Sequence, residues 1–168
     1  MNSRSNILFF VLVFLLQLVI SDYIHLGPWL FVTLMPFLIV AIPLQRSPHW
    51  VMLAAFIMGL LLDILSDGVV GLNAFAAVLA AAPRKFLYRL LVNADRQDKT
   101  VVPTPGECGL GKYLKFLAAV TAIYIAGYLL LDCVGSRPAV FILVRFAAST
   151  VLSTGVSLFL AYAIQNRK

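Results

Sequence analysis

Gly59-Leu60-Leu61-Leu62-Asp63-Ile64-Leu65-Ser66-Asp67-Gly68-Val69-Val70-Gly71-Leu72-Asn73-Ala74 decides how this chain is read, because it sets a carboxylate, Asp63, inside apolar sequence. A carboxylate at membrane depth is costly unless it is paired or lines a watery cavity, so Asp63 requires a partner. The surrounding composition says that membrane depth is the right setting. The chain has 168 residues, 62% hydrophobic and 12% charged, with a mean hydropathy of +0.97. A soluble domain of this length has too little interior to hide that much apolar surface, since only about half of ordinary usage is apolar. The net charge of +6 does not point to nucleic acid, because no polar domain is present to carry a basic face. Membrane topology accounts for it better.

Working outward, six apolar stretches are each long enough to cross a hydrocarbon core as helices, at approximately 6–24, 28–45, 49–66, 69–90, 113–134 and 138–164. The expected fold is therefore all-α, one integral membrane domain over 1–168 built as a six-transmembrane-helix bundle. Turn chemistry separates the stretches: Leu26-Gly27-Pro28, Gln45-Arg46-Ser47-Pro48, Ser66-Asp67-Gly68 and Gly135-Ser136-Arg137-Pro138. A barrel is excluded, since its strands alternate and these runs are apolar on all sides. Arg4, Arg46, Arg84, Lys85, Arg89, Arg96, Lys99, Lys112, Lys115, Arg167 and Lys168 fall at the termini and in alternate loops. Placing them inside puts both termini in the cytoplasm and leaves Arg137 in an outer loop and Arg145 within the last span. Tyr23, His25 and Trp29 then mark the outer interface, and His49 and Trp50 the inner one. No small-x-small cleavage site follows the first apolar run, which reads as an uncleaved span.

Two segments depart from simple spans. Residues 71–82 are nearly all small, and Pro83-Arg84-Lys85 interrupts them. Either the helix bends there and ends along the inner surface with Phe86, Leu87, Leu90 and Leu91 toward lipid, or it stays straight and tilted with snorkelling cations. Residues 93–111 are the one long polar stretch and read as a flexible cytoplasmic loop. Arg84, Lys85, Arg89, Arg96 and Lys99 would form a basic cytoplasmic surface. Cys108 and Cys133 fall on opposite sides of the membrane in this topology and read as inert thiols without metal spacing.

Inside the membrane, Asp63 and Arg145 lie at similar depths by helical rise, so a bridge between spans three and six is expected, with Asp132 as a second partner for Arg145 or Arg137. Such a pair either locks the bundle, or lines a cavity or switches with partner binding. Small residues recur every fourth position: Ser149, Ser153, Ser157 and Ala161 after Arg145, Asn73, Ala77 and Ala81 in span four, Ala118, Ala122 and Ala126 in span five. Small faces of this kind let helices approach closely in lipid. Gln17 and Thr33 are isolated polar residues expected to be satisfied by neighbouring helices. Pro36 should kink span two, and Tyr124 and Tyr128 should fill the core or line a pocket. Spans three, four and six are the expected packed core.

Catalysis has no parts to work with. The two histidines lie near opposite interfaces, and His-Glu-x-x-His, paired cysteines and Gly-x-Ser-x-Gly are all missing from the sequence. Asp63 and Asp67 share a helix face, but Asp67-Gly68 reads more simply as a turn. The expectation is a protein that is not an enzyme, with no metal and no cofactor.

The pattern Gly59-x-x-x-Asp63, a turn with Gly68, then Gly71-x-x-Ala74 opening another apolar helix resembles the rod shape-determining protein MreD family. Length, short loops and cytoplasmic ends fit the same family, so the resemblance covers most of the chain. It implies a bacterial inner-membrane scaffold of the elongation machinery. Such a scaffold binds the single-span protein MreC and helps couple MreB filaments to the RodA glycosyltransferase and the elongation transpeptidase. The family's fold is similar to the substrate-binding subunits (S-components) of energy-coupling-factor importers. That similarity implies the alternative function, a transporter subunit binding a small molecule or lipid. The first span lacks the Ala-x-x-x-Ala through which those subunits dock their partner, which counts against the importer reading.

Overall fold

Proline opens three helices among the described residues of this protein, at the first turn where its missing N–H has no intrahelical acceptor to serve. The computed structural model describes residues 3–23, 30–66, 69–92, 102–133 and 138–165, and these are all-helical apart from turns and short irregular stretches, the longest at 30–34. The helices are α1 (Ser3–Tyr23), α2 (Met35–Ala41), α3 (Pro48–Leu65), α4 (Leu72–Ala81), α5 (Arg84–Leu91), α6 (Pro105–Cys108), α7 (Leu110–Cys133) and α8 (Ala139–Gln165). Pro36, Pro48 and Pro105 stand in the first turns of α2, α3 and α6.

Among the described residues, three helices are long and apolar enough to cross a membrane, over Pro48–Leu65, Leu110–Asp132 and Ala139–Ala163. Shorter apolar helical runs cover Phe10–Ser21 and Leu72–Ala81. A membrane protein built as a helical bundle is the architecture these elements fit.

The second expected span is not one helix. Residues 30–34 carry no regular structure, and α2 has 7 residues, about 10 Å of rise. Pro36 supplies the reason. It has no N–H to donate to a preceding turn, so it is accommodated in the first turn of a helix that starts at Met35 and not within a helix running through from residue 30.

The fourth expected span is interrupted at Pro83. Its helix ends with Ala82 as C-cap, and Pro83 caps the start of α5. Phe86 and Leu90 of α5 are exposed while Tyr88 is buried, so α5 is amphipathic. Part of the expected flexible loop is instead packed: Pro103, Pro105 and Cys108 are buried, and the Tyr88 hydroxyl lies 3.7 Å from the Cys108 thiol. Residues 93–101 lie outside the described residues.

The core also differs from the expected one. The packing runs from α3 to α4, from α4 to α7 and from α7 to α8, with α2 lodged against α7 and α4. Span five (α7) therefore takes the place expected for span six. The small helix α4 makes this possible. A Cβ on Gly59 would sit 2.6 Å from the Ala74 Cα, and one on Gly127 would sit 3.4 Å from the Ala76 Cα. Glycines thus admit α4 on two sides, and its Ala74, Ala76, Ala77, Ala80 and Ala81 are all buried. The alanine stripe expected on span five, Ala118, Ala122 and Ala126, is only half-buried. The deeply buried side of α7 is lined by Phe116, Leu117, Val120 and Tyr124.

Candidate functional site: a polar seam through the bundle

Asp63 stands in the last turn of α3, at the end where the helix dipole is negative and a carboxylate is unwelcome. The turn that follows resolves this by bringing the positive end of α4 back onto it. Gly71, at φ 104°, is the N-cap residue of α4 and offers no capping side chain, and that left-handed conformation is one that glycine adopts without strain. Asp63 supplies the missing cap from eleven or fewer residues away. Its Oδ2 accepts from Gly71 N at 2.9 Å and Ala74 N at 3.2 Å. Its Oδ1 accepts from Asn73 N at 3.1 Å and Asn73 Nδ2 at 2.8 Å. With the residue 2% exposed, four donors and a helix N-terminus balance the buried charge. Gly59, one turn earlier, lets α4 come close enough for this.

The expected Asp63–Arg145 bridge is therefore corrected. Arg145 pairs with Asp132, Nη1 to Oδ2, at 2.6 Å, which was the second partner open to it in the sequence. The reason is adjacency: α8 packs on α7, which carries Asp132, while α3 packs on α4. Matching depths did not make α3 and α8 neighbours.

The seam continues through Asn73, whose Oδ1 accepts from the Tyr124 hydroxyl at 2.6 Å. Tyr124 belongs to the core, and Tyr128 stacks on Phe31 with ring centroids 4.2 Å apart. Beyond them lies the irregular stretch. Non-helical backbone at membrane depth survives only where protein satisfies its polar groups. Here Phe31 N donates to Ser149 Oγ at 2.9 Å and Thr33 N to Ser153 Oγ at 3.1 Å. Leu34 N donates to Gln17 Oε1 of α1, and Met35 N to Thr33 Oγ1 at 3.2 Å. The rungs match by geometry. Four residues of helix rise about 6 Å and two residues of extended chain about 6.6 Å, so serines four apart serve amides two apart. Ser157 would be the next rung, but the chain has turned into α2 by then, and the buried Ser157 Oγ has no partner.

Ser149, Ser153 and Ser157 are thus more than the expected packing face, since the first two are hydrogen-bond partners. Gln17 is satisfied partly by its own helix, through Ser21 at 3.0 Å. Ala77 and Ala81 are buried on α4, and Gly68 lies outside the described residues. Of the expected basic surface, Arg89 is exposed and Lys85 half-buried, but Arg84 is 3% exposed and donates to the Ile42 carbonyl. It is a buried residue, because the first turn of α5 lies against the loop before α3. Arg96 and Lys99 lie outside the described residues.

Chemically the seam holds structure together. Both oxygens of Asp63 are engaged, and no group of three His, Cys, Asp or Glu side chains stands within metal-binding reach among the described residues. Sequence reasoning missed the irregular stretch. The signal available was the coincidence of Pro28, Thr33 and Pro36 in one apolar run with serines at four-residue spacing in another. Compared with protein-family models, with curated proteins and with solved structures, the chain matches none.

Proposed function

We propose that this chain is a non-catalytic scaffold of the bacterial elongation machinery, similar to the MreD family, in the inner membrane. In this reading six passes are made by α1, by residues 30–41, by α3, by α4 continuing into α5, by α7 and by α8, with both termini cytoplasmic. The partners are an MreC-like single-span protein and, through it or beside it, MreB, RodA and the elongation transpeptidase.

The observation that supports this reading is how Asp63 is occupied. The residues that carry the resemblance, Gly59, Asp63, Gly71 and Ala74, are joined to one another as a helix junction. A motif of that kind builds a fold and leaves recognition to the outer surface. That surface is apolar: Leu53, Phe56, Ile57, Leu61 and Ile64 form one exposed face of α3, and Val140, Leu143, Val144 and Val151 one of α8. In lipid such faces meet acyl chains or a partner helix.

Co-purification of the tagged protein in gentle detergent, with mass spectrometry of proteins and small molecules, tests the reading. Recovery of a single-span periplasmic protein together with cell-wall synthases is the expected result. Recovery of an ATPase-coupled membrane complex, or of a stoichiometric small molecule, overturns it in favour of the importer subunit.

A further inference from the structure

At the other end of α3 from Asp63, about 22 Å away along the helix, the loop before α3 meets the α4–α5 bend. They border a shallow, open cleft whose lining includes Arg46, Pro48, Val51, Ala82, Arg84 and Lys85. Three cations line it and no carboxylate does. Like charges gathered in this way repel one another, and among the described residues none of the three forms an ion pair. Arg84 sharpens the point. It is 3% exposed, one nitrogen is held by the Ile42 carbonyl, and its buried Nε has no hydrogen-bond partner. A guanidinium at the cleft wall that pairs with no carboxylate among the described residues, beside two further cations, gives the cleft a positive field suited to an anion.

We propose that this cleft binds a phosphate group, and the surroundings indicate the headgroup of an anionic phospholipid. Trp50, 67% exposed, and the exposed Phe86 and Leu90 belong to the two helices that begin at the cleft. Exposed aromatic and aliphatic side chains beside cations mark the level of lipid headgroups. Guanidinium matches phosphate through its planar fork of donors, and lysine adds a point charge. The site needs only that the chain sits in a bilayer and is independent of the scaffold role.

The test is thermal melting of the full chain in neutral detergent, titrated with dioctanoyl phosphatidylglycerol, dioctanoyl phosphatidylcholine or inorganic phosphate. Binding to the folded state raises the melting temperature in proportion to occupancy. Phosphatidylglycerol is expected to stabilise the protein where equal phosphatidylcholine does little. The exposed and half-buried pair Arg46→Gln/Lys85→Gln should then require roughly tenfold more phosphatidylglycerol. The pair Lys112→Gln/Lys115→Gln, exposed cations at the start of α7, should leave the titration unchanged. Equal loss in both pairs, or equal stabilisation by phosphatidylcholine, overturns the proposal. Competition by millimolar inorganic phosphate assigns the cleft to free phosphate and its absence to lipid, and either upholds a phosphate site. Recovery of the chain in the membrane fraction, scored separately, distinguishes failure of this site from failure of the membrane placement.

Discussion

Asp63→Ala removes the acceptor from three backbone amides and one side-chain amide at once. Gly71 is half-buried, so water can reach its N–H, but Asn73 and Ala74 are buried. Two buried amides without acceptors cost about 1–3 kcal/mol each. Loss of the charge–dipole term at the α4 N-terminus adds roughly 1 kcal/mol, and relief from burying the carboxylate offsets part of the total. The net expectation is a loss of about 3–5 kcal/mol. Asp63→Asn keeps one oxygen to serve one pair of donors and turns an NH2 toward the other pair, so it should cost about half as much. The assay is reversible unfolding in mixed micelles, followed by helical circular dichroism and by amide hydrogen exchange at Asn73 and Ala74. Exchange at those two amides should accelerate in both variants, while amides of α8 keep their protection. A loss below about 1 kcal/mol in Asp63→Ala, with Ala74 still protected, would refute the reasoning.

Gly59→Ala places a methyl 2.6–2.7 Å from backbone atoms of Asn73 and Ala74, which cannot swing aside, so it should destabilise by about 3 kcal/mol in the same unfolding assay. Ser153→Ala strands the Thr33 amide and should cost about 1–3 kcal/mol, whereas Ser157→Ala deletes a buried hydroxyl that has no partner and should be neutral or stabilising. Thermal melting of the two serine variants side by side checks the rung geometry. Arg145→Gln breaks a pair whose side chains are 15% and 32% exposed and should cost about 1 kcal/mol by the same melt, well short of Asp63→Ala.

The sequence carries the long helices well, because length, hydropathy and terminal proline or glycine are all local. The expected 49–66, 113–134 and 138–164 meet α3, α7 and α8 within three residues at each end, and Pro83 marks the break after α4. It carries the demand of Asp63 for a partner equally well. It does not carry the partner's identity, for two reasons. Backbone amides have no letter in a sequence, so a helix N-terminus competes unseen with any visible arginine. Depth along a helix is also a one-dimensional measure, and it cannot say that α8 neighbours α7 while α3 neighbours α4. The irregular stretch at 30–34 is hidden for a related reason. Its residues are as apolar as a helix would be, and the groups that permit it, Ser149 and Ser153, lie 118 and 120 positions away from the amides they accept from. Gly127 is similar, since its role depends on which helix arrives beside it.

The scaffold reading starts from Asp63 being bound up in the α3–α4 junction, and a double-mutant cycle on unfolding free energy tests that most directly. Asp63→Asn is combined in one cycle with Asn73→Ala and in another with Arg145→Gln. The structure predicts a coupling of about 1 kcal/mol or more with Asn73, which touches Asp63, and additivity within about 0.5 kcal/mol with Arg145, which does not. Strong coupling to Arg145 with none to Asn73 would contradict the account and restore the carboxylate to an ion pair across the bundle.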